Sequence, residues 1–262
     1  MKLQIVAARV GLSWVKLGMK TFFRQPLALA GLFFMFMFLV SLLSVVPLLG
    51  SALSLMLVPA ATAGLMAASR EAAEGRFPMP LILVTAFRNG PAQTRAMLIL
   101  GGLYAGALLL VLAVASLLGS GPETVTTLSD ETASPEAMRS ALMSPGMMLA
   151  LLAYLPVIMA FWHAPALVHW HGISPVKSLF FSFMACWSNK GAMLYYTLGW
   201  LGVFLLMGLL ISLLGAMLGG AAALNLILYP LVLLMASMFH TSIYFSFRDS
   251  FEVNTPELTQ PS

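Results

Sequence analysis

Residues 26–69, PLALAGLFFMFMFLVSLLSVVPLLGSALSLMLVPAATAGLMAAS, contain no charged side chain. A helix needs about 20 apolar residues to cross a bilayer, so this stretch is long enough for two crossings. Pro47 and Gly50 fall near its middle, and both residue types favour a turn between helices. The stretch therefore predicts a membrane-spanning helical hairpin, with spans at 27–46 and 50–68.

The same apolar character extends over the whole chain. Hydrophobic residues make up 60% of the 262 residues and charged residues 8%, whereas soluble domains are about 25% charged. So few charges cannot cover a water-facing surface, which makes lipid the solvent. Four further apolar runs predict spans at 96–118, 146–168, 192–216 and 222–246. We predict an all-α integral membrane protein, a single membrane domain over residues 1–262, with six transmembrane helices arranged as three hairpins.

The basic residues indicate the orientation of these spans. With a cytoplasmic N-terminus, Arg139 is the single basic residue outside, and the other twelve of the 13 Lys and Arg residues lie on the cytoplasmic side. Lys and Arg resist translocation, so cytoplasmic loops carry an excess of them. The bias predicts a bacterial inner-membrane protein with both ends in the cytoplasm, a periplasmic loop at 119–145 and a cytoplasmic tail at 248–262.

The segments that precede the spans carry an amphipathic pattern. Residues 1–25 predict an interfacial helix, because their basic side chains fall on one arc at 100° per residue. We expect this arc to contact the head groups of anionic phospholipids through Lys2, Arg9, Lys16 and Lys20. Segments 172–190 and 76–91 predict a second and a third cytoplasmic surface helix, one before each later hairpin.

Short sequence repeats support three related units. FFRQP at 22–26, AFRNG at 86–90 and CWSNK at 186–190 each stand just before a span. A second correspondence supports the last two units, because Pro59, Gly75 and Pro78 recur 97 residues later as Pro156, Gly172 and Pro175. The repeats predict that each hairpin is preceded by its own interfacial helix. Chance matches among apolar segments are the alternative.

The histidines are the most concentrated candidates for chemistry. His163 and His240 are predicted at similar depth, where two facing imidazoles could ligate a haem iron. His169 and His171 could hold a metal at the surface. The favoured alternative needs no cofactor: membrane histidines also lie in the head-group layer beside tryptophans or hydrogen-bond between helices.

Two prolines predict a crevice in the bundle. Pro59 and Pro156 each lie inside an even-numbered span, where proline removes a backbone hydrogen bond and kinks the helix. Kinks at matching positions would separate neighbouring hairpins. We therefore expect a crevice there in which a lipid or another small molecule could bind.

Two longer stretches carry a family resemblance. WVKLGMKTFFRQPLAL at 14–29 and HAPALVHWHGISPVKSLFFSFMACWSNKGAM at 163–193 resemble a family of Burkholderia-type proteobacterial inner-membrane proteins with six spans. More distantly, the plan of hairpins led by surface helices is similar to the membrane domain beside some glycerophosphodiester phosphodiesterases. The catalytic domain of those enzymes has no counterpart here, and neither resemblance implies a functional residue.

The remaining motifs favour a non-enzymatic role. The sequence has no GxSxG, HExxH or P-loop motif, and its single cysteine, Cys186, excludes an internal disulfide. Basic residues beside spans indicate anionic lipid rather than nucleic acid. We predict a lipid-interacting accessory or assembly factor, with a membrane-protein partner left open. The alternatives are an uncoupled transporter or channel for a small or amphiphilic solute, and a haem-binding redox protein.

Overall fold

The computed structural model describes residues 2–46, 49–117, 134–218 and 221–251. Within those residues every regular element is a helix. The elements are α1 (Val10–Arg24), α2 (Pro26–Ser44), α3 (Gly50–Ala73), a 3₁₀ helix (Pro80–Phe87), α4 (Pro91–Leu117), α5 (Pro135–Leu142), α6 (Pro145–Trp162), α7 (Ala164–His171), α8 (Pro175–Ser188), α9 (Lys190–Leu218) and α10 (Ala221–Phe251).

Six helical stretches among the described residues are long and apolar enough to cross a membrane. They are Pro26–Ser44, Gly50–Ala73, Pro91–Leu117, Pro145–His171, Lys190–Gly215 and Pro230–Phe251. Each overlaps one predicted span, which confirms the all-α fold class with six spans. Several run further than predicted because the helices continue past the charge-free core, as α3 does through Arg70 and Glu71.

The fourth span, predicted as one helix over 146–168, consists of two. α6 and α7 meet at His163, whose backbone has φ −109° and ψ −14°. Pro165 explains the break, because a proline has no N–H with which to continue the α6 hydrogen-bond ladder. α7 then ends at Gly172, which has φ 62°, the left-handed conformation that favours glycine.

The predicted interfacial helix over 1–25 is helical only from Val10. Residues 2–9 are not helical because their backbone finds partners elsewhere in the chain. The Gln4 amide donates to the Ser250 carbonyl at 2.9 Å, and the Val6 amide donates to Oδ1 of Asn189 at 2.8 Å. The first residues of the described chain are therefore tied to the end of α10 and to the joint between α8 and α9.

The other two predicted surface segments each contain a helix. Segment 172–190 contains α8, as expected. Segment 76–91 forms the 3₁₀ helix instead of an α-helix, over eight residues bracketed by Pro80 and by Gly90 at φ 96°. Eight residues is long for a 3₁₀ helix, because runs beyond three or four residues are uncommon.

The predicted loops are described only in part. Within the loop 119–145 the structure shows α5, whose cap is the Ser134 hydroxyl accepting from the Ala137 amide at 3.2 Å. The predicted tail 248–262 begins inside α10, because that helix continues through Phe251. The predicted turn residue Pro47 lies outside the described residues, as do residues 118–133, 219–220 and 252–262.

The helices pack as three hairpins joined in a cycle. α2 packs against α3, α4 against α6, and α9 against α10. Each leading helix packs on the hairpin of the preceding unit: the 3₁₀ helix contacts α3, and α8 contacts α6. α1, which leads the first unit, contacts α9 and α10 of the third and so closes the cycle. This arrangement agrees with the three predicted units.

The proline pattern extends to the third unit. Pro59 is the tenth residue of α3, and Pro230 is the tenth residue of α10. Pro156 lies at a comparable place in α6, so every even-numbered span has an interior proline. The predicted pair is thus part of a set of three.

Candidate functional site

Twelve basic residues share one end of the bundle, here called the basic end. At this end, contacts of basic side chains connect neighbouring helices. The Arg24 guanidinium of α1 donates to the Ala73 carbonyl of α3 at 3.4 Å, and Arg70 of α3 lies 5.8 Å from the ring centroid of Trp170 on α7. Only Arg139, on α5, lies in the segment that connects the opposite ends of α4 and α6. The basic end comprises Lys2, Arg9, Lys16, Lys20, Arg24, Arg70, Arg76, Arg88, Arg95, Lys177, Lys190 and Arg248.

α1 presents an exposed basic face at this end. The side chains predicted to meet lipid head groups are all exposed: Lys2, Arg9, Lys16 and Lys20. Lys16 and Lys20 lie within α1, and Arg9 immediately precedes its first residue. Lys2 was wrongly placed on the helical arc, because the non-helical segment before α1 carries it. The basic face therefore consists of Arg9, Lys16 and Lys20.

The opposite face of α1 is anchored to the third hairpin. Trp14 is fully buried, and its indole N–H donates to Oδ2 of Asp249 at 2.8 Å. Gly11 and Gly18 allow close contact: a Cβ at Gly11 would collide with the backbone of Ala192, and one at Gly18 would collide with Ser242. The absence of side chains at both positions lets the helix backbones touch. This contact fixes the direction in which the basic face points.

His163 is a buried link between helices. It is 1% exposed, with Nε2 3.2 Å from Oγ of Ser246 on α10. Its backbone N–H donates to the Ser182 hydroxyl of α8 at 2.9 Å, and Phe247 and Phe251 pack around the ring. Hydrogen bonds of this kind join transmembrane helices. The contacts are those of the cofactor-free alternative.

His240 has a different set of neighbours. Its Nδ1 lies 2.9 Å from the Ala236 carbonyl of its own helix, and its ring packs 5.0 Å from that of Phe33 on α2. It lines a cavity whose walls do not include His163. His163 and His240 therefore do not share this cavity, as ligation of one haem iron would require. Haem binding stays a prediction.

His169 and His171 differ in exposure. His169 is 8% exposed, and its backbone carbonyl accepts from the Gln93 side-chain amide, whereas His171 is exposed. Residues two positions apart on a helix point in different directions, which explains why this pair is not presented together. Across residues 2–46, 49–117, 134–218 and 221–251, no group of three or more His, Cys, Asp or Glu side chains could hold a metal.

Cys186 on α8 is buried beside His163. Its Sγ lies 3.9 Å from Nδ1 of His163 and 3.7 Å from the Met159 carbonyl. Burial raises the pKa of the Cys186 thiol to about 12. Because the thiolate is the nucleophilic form, this cysteine lacks the depressed pKa of a catalytic thiol.

A row of serines on α10 forms hydrogen bonds that were not predicted from the sequence. Ser242 accepts from the indole of Trp200 at 3.1 Å and lies 2.6 Å from the Tyr196 hydroxyl. One turn later, Ser246 accepts from the indole of Trp162 at 3.1 Å. The signal was present as serines at a spacing of four in the sixth span, which places them on one helix face.

A central cavity of about 280 Å³ lies among α3, α4, α6 and α10. Its walls are apolar apart from Thr62, Tyr104, Tyr154, the Trp162 indole and His240. Two prolines were predicted to open a crevice. Pro59 lines this cavity, whereas Pro156 is not among the lining residues, although Tyr154 and Ile158 on either side of it in the sequence are. The complete lining is Val58, Pro59, Thr62, Tyr104, Tyr154, Ile158, Phe161, Trp162, Pro165, Phe239, His240 and Ile243.

A larger groove of about 610 Å³ lies between α6, α8 and α9. Leu155, Leu194 and Leu201 at its rim are 56%, 57% and 49% exposed, so it opens to the surroundings of the bundle. It shares Ile158, Trp162 and Phe239 with the central cavity as a common wall. The groove is lined by Leu155, Ile158, Met159, Trp162, Cys186, Trp187, Lys190, Met193, Leu194, Tyr196, Thr197, Trp200, Leu201, Phe204 and Phe239.

Comparison with known proteins identifies one relative over nearly the whole chain. The sequence is 37% identical over 259 residues to a protein of Burkholderia thailandensis described as a probable inner membrane protein. The alignment covers 98% of this chain and 96% of the relative. No family model matches the sequence, and no solved structure matches it. The distant resemblance to the membrane domain of glycerophosphodiester phosphodiesterases therefore stays a prediction.

Proposed function

The chain belongs to the family of this Burkholderia thailandensis inner-membrane protein, and we propose that it is a non-enzymatic accessory or assembly factor that binds anionic phospholipid. The observation that supports the proposal is the exposed basic face of α1, formed by Arg9, Lys16 and Lys20. α1 is anchored through Trp14, so these charges project from a fixed support. Each basic residue near an anionic surface contributes about 1 kcal/mol to membrane association.

The proposal includes an orientation. Positively charged loops stay in the cytoplasm, so the basic end faces the cytoplasmic leaflet and its anionic lipids. Reporter fusions within 119–145 and after Arg248 test this orientation. The proposal expects a periplasmic signal from the first fusion and a cytoplasmic signal from the second. The reverse pair of signals would overturn the orientation.

Lipid binding is tested with the full chain purified in detergent. Thermal unfolding is measured with phosphatidylglycerol and with phosphatidylcholine of the same acyl chains. Arg9→Gln, Lys16→Gln and Lys20→Gln are combined in one variant, and Arg139→Gln at the opposite end is the control. The proposal expects phosphatidylglycerol to stabilise wild type and the control more than the triple variant. An equal response in all three proteins would contradict it.

An uncoupled transporter for a small or amphiphilic solute is a second candidate. It is favoured by the polar groups of the central cavity and by the wall that this cavity shares with the groove. Trp162 and Phe239 belong to that wall, with ring centroids 6.0 Å apart. Phe239→Ala would open it, so a transporter should release an entrapped amphiphilic dye from proteoliposomes faster. An unchanged release rate that equals that of empty liposomes would reject this candidate.

A further inference from the structure

The groove between α6, α8 and α9 has the chemistry of a phospholipid site. Its apolar walls include Leu155, Leu201 and Phe204, which suit acyl chains. Among the described residues that line it, Lys190 is the only charged one. Lys190 stands at the first position of α9, so the positive charge lies at the basic end of an otherwise apolar groove. An anionic head group above apolar chains matches this distribution of charge.

An aromatic residue completes the polar mouth of the groove. Trp187 is 55% exposed, and Nζ of Lys190 lies 5.5 Å from its ring centroid. Tryptophan is enriched at the membrane interface, where its amphipathic ring sits at head-group level. Trp187 and Lys190 therefore mark the level at which a lipid head group would lie.

The dimensions of the groove fit one leaflet. Between Lys190 and Phe204 the lining follows α9 for about 21 Å at a rise of about 1.5 Å per residue. Half of the hydrocarbon core of a bilayer measures about 15 Å, so the groove spans the depth that the acyl chains of one leaflet occupy.

We infer that this groove binds one anionic diacyl phospholipid, with the phosphate at Lys190 and an acyl chain along α9. The site is separate from the basic face of α1. The inference deepens the proposed function, and it rests on the premise that the basic end faces an anionic leaflet. It assigns lipid selectivity to Lys190 and acyl-chain binding to the apolar wall.

Native mass spectrometry of the full chain in detergent tests the inference. Phosphatidylglycerol and phosphatidylcholine with the same acyl chains are added, and the lipid retained per protein is counted. Lys190→Gln should lower retention of phosphatidylglycerol roughly fivefold, the factor equivalent to about 1 kcal/mol per basic residue. Lys177→Gln is the matched control, because Lys177 is exposed on α8 but does not line the groove.

A second pair of variants tests the apolar wall. Leu201→Trp places a larger side chain in the groove and should reduce retention of both lipids. Leu205→Trp is its control, because Leu205 is exposed on the same helix outside the groove. Equal retention of the two lipids by wild type would indicate a non-selective lipid shell and would overturn the inference. A protein dimer that carries no lipid would also overturn it, by making a second copy of the chain the occupant.

The variants separate this inference from the proposed function. If the triple variant of α1 loses phosphatidylglycerol while Lys190→Gln retains it, the basic face binds lipid and the groove inference fails. If Lys190→Gln loses it while the α1 variant retains it, the groove inference holds and the role proposed for α1 fails. If neither variant differs from wild type, both fail.

Discussion

Two equivalent boundaries between hairpins, α3 with α4 and α6 with α9, are packed in different ways. Gly101 of α4 lies so close to α3 that a Cβ there would collide with the Met56 carbonyl. The corresponding glycine of the third unit, Gly199, faces Leu12 and Val15 of α1. The first boundary is closed by backbone contact, whereas the groove occupies the second.

The difference shows how the position of α1 produces the groove. α1 packs on the small-residue face of α9. That face is therefore not available for close packing between α9 and α6. The face of α9 that remains carries Leu194 and Leu201, which line the groove and are exposed at its rim. Small residues permit close helix approach in membranes, and larger ones leave space that lipid can fill.

The largest expected effect comes from breaking the closed boundary. Gly101→Ala adds a Cβ against a backbone carbonyl that cannot rotate away, so we expect a loss of about 3 kcal/mol in the free energy of unfolding. The matched control is Gly102→Ala, because a Cβ at Gly102 would meet no atom of the described part of the chain within 4 Å. Thermal unfolding in detergent measures both. Equal stability of the two variants would contradict close packing of α3 on α4.

A smaller effect is expected at the inner wall of the groove. Ser246→Ala removes the acceptor of the Trp162 indole and the partner of His163, at a cost of about 1–2 kcal/mol for the buried groups left without a partner. Ser250→Ala serves as the control, because Oγ of Ser250 is buried and has no hydrogen-bond partner among the described residues. Unfolding temperatures should fall for the first variant only. A similar fall for both would show that the hydrogen bonds of Ser246 contribute nothing specific.

The smallest effect concerns the charge at the mouth of the groove. Without added lipid, Lys190→Gln should unfold at nearly the wild-type temperature, because Lys190 is exposed and its contact with Trp187 contributes only about 0.5–1 kcal/mol. With phosphatidylglycerol, wild type should gain more stability than the variant. An equal gain would show that Lys190 does not interact with the lipid.

The sequence was sufficient for the fold at the level of spans and units. Long apolar runs decide which segments cross the bilayer, and that physical requirement acts on each segment alone. The break at His163 and the late start of α1 were not predicted. The first depends on Pro165 and was open to prediction, whereas the second depends on contacts between Gln4 and Ser250, which are distant in sequence.

The candidate site was less predictable than the fold. The exposure of Arg9, Lys16 and Lys20 follows from helical periodicity, and the structure agrees with it. The groove depends on which helix occupies the glycine face of α9, a choice made by tertiary packing. Of the predicted prolines, Pro59 does line the central cavity. No local sequence signal distinguishes the open boundary between α6 and α9 from the closed boundary between α3 and α4.

Photo-crosslinking tests the central claim most directly. Phosphatidylglycerol with a photoreactive acyl chain is incorporated with the full chain into nanodiscs, and the labelled peptides are identified after irradiation. A lipid bound in the groove should label α9 between Met193 and Phe204 and α6 near Leu155, with less label in the Lys190→Gln variant. Labelling spread evenly over the lipid-facing helices, including α4 around Leu110, would contradict a specific site.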